Sequence, residues 1–298
     1  MSSREGRIST TPWGRLKPIN LDPLEAMGLP SKGDNRLLDH KTQERYYTKI
    51  VERYMDFCTD AGQGDELSRR LACLEISDEH EHSDSSRTRP GTDNRPIDAN
   101  FGQKVISILI MAMRKLREGI VASNRVDDFA IQAYIFCIRL SILVKHMESY
   151  HPAILHLLKR MHPIQSLTNT ELQEFVGYLV LDLACRQNDL AQAFSVRYQY
   201  RLRDSKVDAV LRSLTHDNYF LFWRVKQSVD GHKAKLMEFA EVEMRKLTLK
   251  CLGRAYLSID QFSLEQYTHA SWSSLCNDYG VGWQLEINKV VIRKPKLR

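Results

Sequence analysis

Trp283-Gln284-Leu285-Glu286-Ile287-Asn288-Lys289-Val290-Val291-Ile292-Arg293 reads as one short β-hairpin near the end of a chain that is otherwise patterned as helix. With Asn288-Lys289 as the two-residue turn, Ile287 pairs with Val290 and Leu285 with Ile292, all on one face. Gln284, Glu286 and Arg293 then fall on the other face. That alternation describes a hairpin half-buried on helices, because a lone hairpin is not stable in water. Helices closed by a single small wing point to an assembly or nucleic-acid module rather than to an enzyme.

The preceding segments support the same reading. Lys233 to Tyr256 places Leu236, Ala240, Met244, Leu247 and Cys251 on one face of a long helix. Two short helices follow, Ser258 to Thr268 and Ser271 to Tyr279, broken near His269-Ala270 and ended by Gly280 and Gly282. Long helix, two short helices and hairpin is the order of a winged helix-turn-helix. Further upstream, Phe129, Ala133, Phe136, Leu140, Val144 and Met147 form one apolar stripe, and Leu172, Phe175 or Val176, Leu179 and Leu183 another. Between them, Tyr150 to Met161 reads as a short helix started by Pro152. Thr168 and Glu171 form a capping box ahead of the second stripe. Successive helices joined by short polar turns predict stacked helical pairs of the tetratricopeptide type, although no repeated consensus is present.

Towards the N-terminus, residues 1–38 carry Pro12, Pro18, Pro23 and Pro30 with little periodicity and read as an irregular arm whose Trp13, Leu24 and Met27 can dock. Residues 39–76 read as N-terminal helices. The first spans Asp39 to Asp60, with Tyr46, Ile50, Tyr54 and Phe57 or Cys58 on its apolar face, and a second covers Asp65 to Leu74. The 77–100 tract has almost no apolar residue and reads as a disordered linker or insertion, since it cannot bury enough to offset its ordering entropy. Residues 101–204 form the helical-repeat part, and residues 205–298 the core and wing with a basic tail.

The 298 residues are 43% hydrophobic with a net charge of +6, enough for a real core and a mild basic excess that permits an acidic partner. The six cysteines are widely spread and lack C-x-x-C spacing, so they read as reduced residues of a nuclear or cytoplasmic protein. The opening Met1 to Arg7 has no apolar core, so no secretory signal is expected. The longest apolar runs, Val105 to Met113 and Ile138 to Val144, fall far short of the roughly 20 residues that span a bilayer.

No nucleophile elbow, phosphate loop, dinucleotide turn or H-E-x-x-H helix occurs, and no parallel sheet is patterned to hold a cofactor. His146, His151, His156 and His162 are spaced five, five and six apart, which spreads them over different helical faces as surface or packing residues. His80 and His82 lie in a solvated acidic tract without further placed metal ligands. Neither catalysis, a cofactor, a metal nor a small-molecule substrate is expected. From Met244 to Arg298 there are nine Lys and Arg against four acids. Lys289, Arg293, Lys294, Lys296 and Arg298 cluster from the wing tip onward as candidate phosphate contacts. Trp283, Leu285, Ile287 and Val291 are the candidate partner interface.

Val210-Leu211-Arg212-Ser213-Leu214-Thr215-His216-Asp217-Asn218-Tyr219-Phe220-Leu221-Phe222-Trp223 carries a further clue. It resembles the Asn-Tyr-x-x-Phe-Phe core of PCI domains. Arg245, Leu249, Ala255-Tyr256 and Leu257-Ser258-Ile259 continue the likeness, which covers about Phe101 to Lys296. The nearest branch is that of GANP-type messenger-RNA factors and small proteasome-lid, signalosome and initiation-factor-three subunits. The resemblance implies a mainly α fold, a right-handed helical superhelix capped by a winged helix with a small β-hairpin. It also implies a non-catalytic scaffold that assembles with other PCI-domain subunits, with a small acidic peptide-like subunit and with RNA. Asn218, Tyr219, Phe222, Trp223 and Arg245 are markers of that core, and burial at a helix start gives them packing roles.

Overall fold

The computed structural model describes residues 22–61 and 97–293, which are mainly helical with one small three-stranded sheet. They divide into two compact units, one containing residues 22–61 and 97–125 and the other residues 126–293. The helical stretch 101–204 thus contributes to both. The expected second helix at 65–74, Trp13 and the polar tract up to residue 96 lie outside the described residues.

In the first unit, α1 (His40–Ala61) packs on α2 (Ile97–Ala122), and α2 begins inside the last residues of the tract read as linker. Tyr46, Ile50 and Phe57 are buried, as the three- and four-residue spacing predicts. The irregular arm from residue 22 onward is tied down by two 3-10 turns and by buried Leu24 and Leu37. The Tyr46 hydroxyl and the Lys115 ammonium both donate to the Leu24 carbonyl, at 2.8 and 3.1 Å. Gly119 permits the closest approach: a Cβ there would stand 2.6 Å from the Leu37 carbonyl oxygen.

The second unit opens with α3 (Asp128–Leu143) and α4 (Met147–His156), which pack on each other. The apolar stripe predicted for α3 is too narrow. Ala130, Ile131, Tyr134, Ile135, Cys137, Ile138 and Ile142 are buried as well, whereas Phe129 and Phe136 are only half-buried. Being hydrophobic nearly all round, α3 takes an interior position instead of a surface one. Met147 starts α4 and is exposed, and Pro152 sits inside that helix, which continues as a π-turn to Met161.

Next come α5 (Asn169–Leu181), α6 (Leu190–Gln199), α7 (Ser205–Thr215) and α8 (Tyr219–Lys226). Both halves of the Thr168–Glu171 capping box form at the start of α5. The single helix expected from Lys233 to Tyr256 is broken into α9 (Gly231–Met237) and α10 (Glu241–Ala255). A 3-10 turn over Glu238–Ala240 lies between them, and Glu238 is held there by Lys235 and Lys145. The tighter turn changes the helical phase while Leu236, Met237, Ala240 and Met244 stay buried.

After α10 the chain forms β1 (Ser258–Asp260), α11 (Gln261–Thr268), α12 (Trp272–Tyr279), β2 (Gln284–Glu286) and β3 (Lys289–Val291). Ser258 to Asp260 is therefore a strand, not the first turn of a helix. Ile259 is buried opposite Val290, and Asp260 caps α11 by accepting the Ser263 amide. The sheet order is β1-β3-β2, antiparallel throughout, with β3 in the centre. The hairpin register also differs from the expected one: Leu285 faces Val290 and Glu286 faces Lys289, so Ile287-Asn288 is the turn. Pairing with β1 and the Gln261 amide bond to the Asn288 carbonyl hold β3 in this place. The slip preserves the side-chain alternation, so Leu285, Val290 and Ile292 still share the inner face. Ile287 leaves that face for the turn, where it is 95% exposed with φ +60°.

A buried carboxylate joins α4 to the helix after it. Asp182, in the π-turn Asp182–Arg186 that continues α5, accepts hydrogen bonds from Tyr150, His151, Arg186 and Gln187. Burial alone raises its pKa, but these donors more than offset that and hold it well below the usual carboxylate range. A depressed native pKa stabilises the fold above the unfolded value, and the contribution fades as pH falls below roughly 3.9. Asp182→Asn is expected to lose about 2–3 kcal/mol at pH 7. In urea unfolding the gap to wild type should shrink by pH 3, and a gap independent of pH would exclude the ionised carboxylate as its source.

Candidate functional site at the C-terminal module

The site is built around Arg245 in α10. Its Nε donates to the Thr268 carbonyl at 3.1 Å, one Nη to the Tyr279 hydroxyl at 3.2 Å and the other to Glu241 at 2.7 Å. The guanidinium also lies 5.0 Å from the Trp223 ring centroid, and the His269 ring stacks on the same indole at 4.7 Å. One side chain thereby joins α8, α10, the end of α11 and the end of α12. Burial works against its charge, but the Tyr279 hydroxyl and the Glu241 carboxylate outweigh it and raise the Arg245 pKa. For Glu241 burial is outweighed by Lys226 and Arg245, which lower its pKa. Burial, and after it the Arg245 charge, pushes His269 down, favouring the neutral ring.

The residues singled out between Asn218 and Trp223 gather here. The Asn218 side chain accepts the Leu221 amide at 3.0 Å and caps α8, Phe222 and Trp223 are buried, and Tyr219 is half-buried. The small core beneath the sheet contains Leu252, Ile259, Leu264, Leu275 and Val290, with Trp283 and Ile292 packed against it. Trp283 lies where Gly253 leaves room on α10, since a Cβ at Gly253 would stand 3.3 Å from the indole.

The proposed interface residues do not form one surface. Trp283 and Leu285 lie on the inner face, whereas Val291 is on the outer face with Gln284, Glu286 and Lys289. Leu285 keeps 39% exposure because β2 is an edge strand. Lys289 and Arg293 are exposed, and Arg293 donates to the Arg254 carbonyl at 2.8 Å. Lys294, Lys296 and Arg298 lie outside the described residues. Arg293 therefore brings the hairpin to the C-terminal end of an exposed basic row on α10, formed by Lys246, Lys250 and Arg254 at four-residue steps.

A groove that the sequence reading did not single out opens between α8 and α11, about 500 Å³ in volume. Phe220, Arg224 and Gln227 line it from α8, and Gln266, Tyr267 and His269 from α11 and its cap. Its signal was present in the sequence: Phe220, Arg224 and Gln227 are spaced i, i+4, i+7, a face that the packing of Phe222 and Val225 turns outward. Among the described residues no group of His, Cys, Asp or Glu is placed to hold a metal ion, and no helix is long and apolar enough to cross a membrane. The chain matches no model of a known protein family and no curated protein.

Replacing Arg245 tests the node. Arg245→Met should lose about 2–3 kcal/mol in denaturant unfolding, because the Thr268 carbonyl and the Tyr279 hydroxyl lose their donor and Glu241 keeps only Lys226. Arg245→Lys should recover less than half, since an ammonium cannot serve the forked set of partners. Full recovery by lysine would reduce the node to a simple charge pair.

Proposed function

We propose that the chain is a non-catalytic scaffold subunit of a multisubunit complex, a PCI-type helical superhelix capped by a winged helix. The observation that carries this reading is the C-terminal order helix, strand, helix, helix, strand, strand, with the last strand central. Arg245 and the aromatic start of α8 hold that module on the helix before it. Winged-helix modules of this order present a sheet edge or a basic wing to a partner instead of enclosing a substrate. The assignment is to the GANP type, acting in messenger-RNA transcription, processing or export in the nucleus or cytoplasm. Other PCI-domain subunits and a small acidic peptide-like subunit are its partners. The basic row from Arg293 through Arg254 and Lys250 to Lys246 favours RNA contact by the wing.

One feature favours a second reading, a peripheral subunit of the proteasome lid, signalosome or translation initiation factor three. β2 is an exposed edge strand, suited to backbone pairing with a sister subunit without any nucleic acid. Affinity purification of the full chain followed by mass spectrometry separates the two. The GANP-type assignment predicts other PCI-domain subunits together with messenger-RNA processing or export factors. Recovery of only lid, signalosome or initiation-factor subunits would overturn it.

A further inference from the structure

The groove between α8 and α11 has a composition that the packing of the module does not need. Phe222 and Val225 face inward, whereas Phe220 on the opposite side of α8 is 53% exposed and shares the groove face with buried Trp223. Its ring stacks on Tyr219 at 4.6 Å and meets Tyr267 of α11 edge-on at 4.9 Å, so Phe220 and Tyr267 bring aromatic rings together from the two helices that form the groove. On α11, Phe262 is 72% exposed one turn before Gln266, and 262, 266 and 269 repeat the i, i+4, i+7 spacing of 220, 224 and 227. The two helices thus carry matching series: an aromatic ring, then an arginine or glutamine, then a glutamine or histidine.

The charge of the groove is one-sided. No carboxylate is among its described lining residues, and Arg224 is exposed without an ion pair among those residues. Asn218, Gln227 and Gln266 supply amides that both donate and accept. The Asn218 oxygen serves the α8 cap, leaving its amide nitrogen for another contact. Exposed ring faces, neutral amides and a lone guanidinium match the three parts of an unpaired nucleotide: a flat base, its hydrogen-bonding edge and its phosphate. An acidic peptide would use the arginine but has no call on stacked rings and amides. A duplex hides its base faces and has no use for the rings.

We propose that this groove is a base-binding site for single-stranded RNA, in which Phe220 and Tyr267 stack bases, the amides of Gln227 and Gln266 meet a base edge, and Arg224 holds a phosphate. The proposal rests on the RNA-contacting reading of the module and locates the contact with bases away from the wing. It divides the work: the wing, the α10 row and Arg224 supply salt-sensitive attraction, and the rings of the groove supply contact that tolerates salt.

Fluorescence anisotropy of the full chain with labelled 12-nucleotide oligouridylate and oligoadenylate, over a range of salt, tests it. Thermal melts establish that each variant is folded. Phe220→Ala is expected to weaken binding about tenfold at every salt concentration, as removal of a stacking ring does. Arg224→Gln should weaken binding and lower the salt slope by about 0.7, the value for one phosphate contact on a single strand. The 12-base-pair duplex should show no loss with Phe220→Ala. If Lys289→Glu with Arg293→Glu abolishes binding while Phe220→Ala and Arg224→Gln bind as wild type, the groove proposal fails and RNA contact by the wing stands. If the wild-type chain binds neither oligonucleotide, both fail. If Phe220→Ala keeps its RNA affinity but loses a co-purifying protein, the groove is a protein-docking site and the proposal is overturned.

Discussion

The C-terminal module depends on one charged side chain held among aromatic rings. Arg245 gives its nitrogens to Thr268, Tyr279 and Glu241 and lays its guanidinium against Trp223. These contacts come from four different helices, so no one of them can shift without leaving a half-buried donor or acceptor unpaired. A lysine could supply the charge but not the planar fork that reaches three acceptors while stacking on an indole. The aromatic residues at the start of α8 follow from this constraint, because Trp223 must be buried and oriented to receive both Arg245 and His269.

Two exposed features follow from the same arrangement. With α8 fixed by Phe222 and Val225, the face carrying Phe220, Arg224 and Gln227 must turn outward towards α11. With α11 and α12 fixed at their ends, β1 can lie beside β3, and the hairpin is left with β2 on the outside. The third strand also explains how so short a hairpin persists: Val290 is fully buried between Leu285 and Ile259. It accounts for the turn as well. β3 is pinned by β1, so the reversal must fall at Ile287-Asn288 even though a β-branched residue disfavours a positive φ.

Much of this was legible in the sequence, for identifiable reasons. Side-chain alternation in the hairpin survives a slip of the turn because the slip preserves parity, so Leu285, Val290 and Ile292 were assigned to the correct face while Ile287 and the cross-strand partners were not. Thr168 with Glu171 and Asn218 ahead of α8 act within one turn of themselves, and such caps can be read locally. The strand at Ser258–Asp260 could not be read this way, since three residues become a strand only when Val290 is placed beside Ile259. The break at Glu238–Ala240 was hidden because the apolar positions on either side fit an unbroken helix. The groove was missed because only Tyr219, Phe222 and Trp223 of the aromatic stretch were assigned a role, and the face that Phe220 shares with Arg224 and Gln227 becomes a groove only when α11 is placed beside it.

Under the proposed function, this module, mounted through Arg245, is the surface that meets partners. Hydrogen–deuterium exchange of the chain alone and in its purified native complex tests it most directly. The account predicts that protection on assembly concentrates in the amides of 284–293 and of the α8 and α11 faces, with α3 and α5 unchanged. Protection confined to the helices before α8, with the sheet and both groove faces exchanging as they do in the free chain, would contradict it.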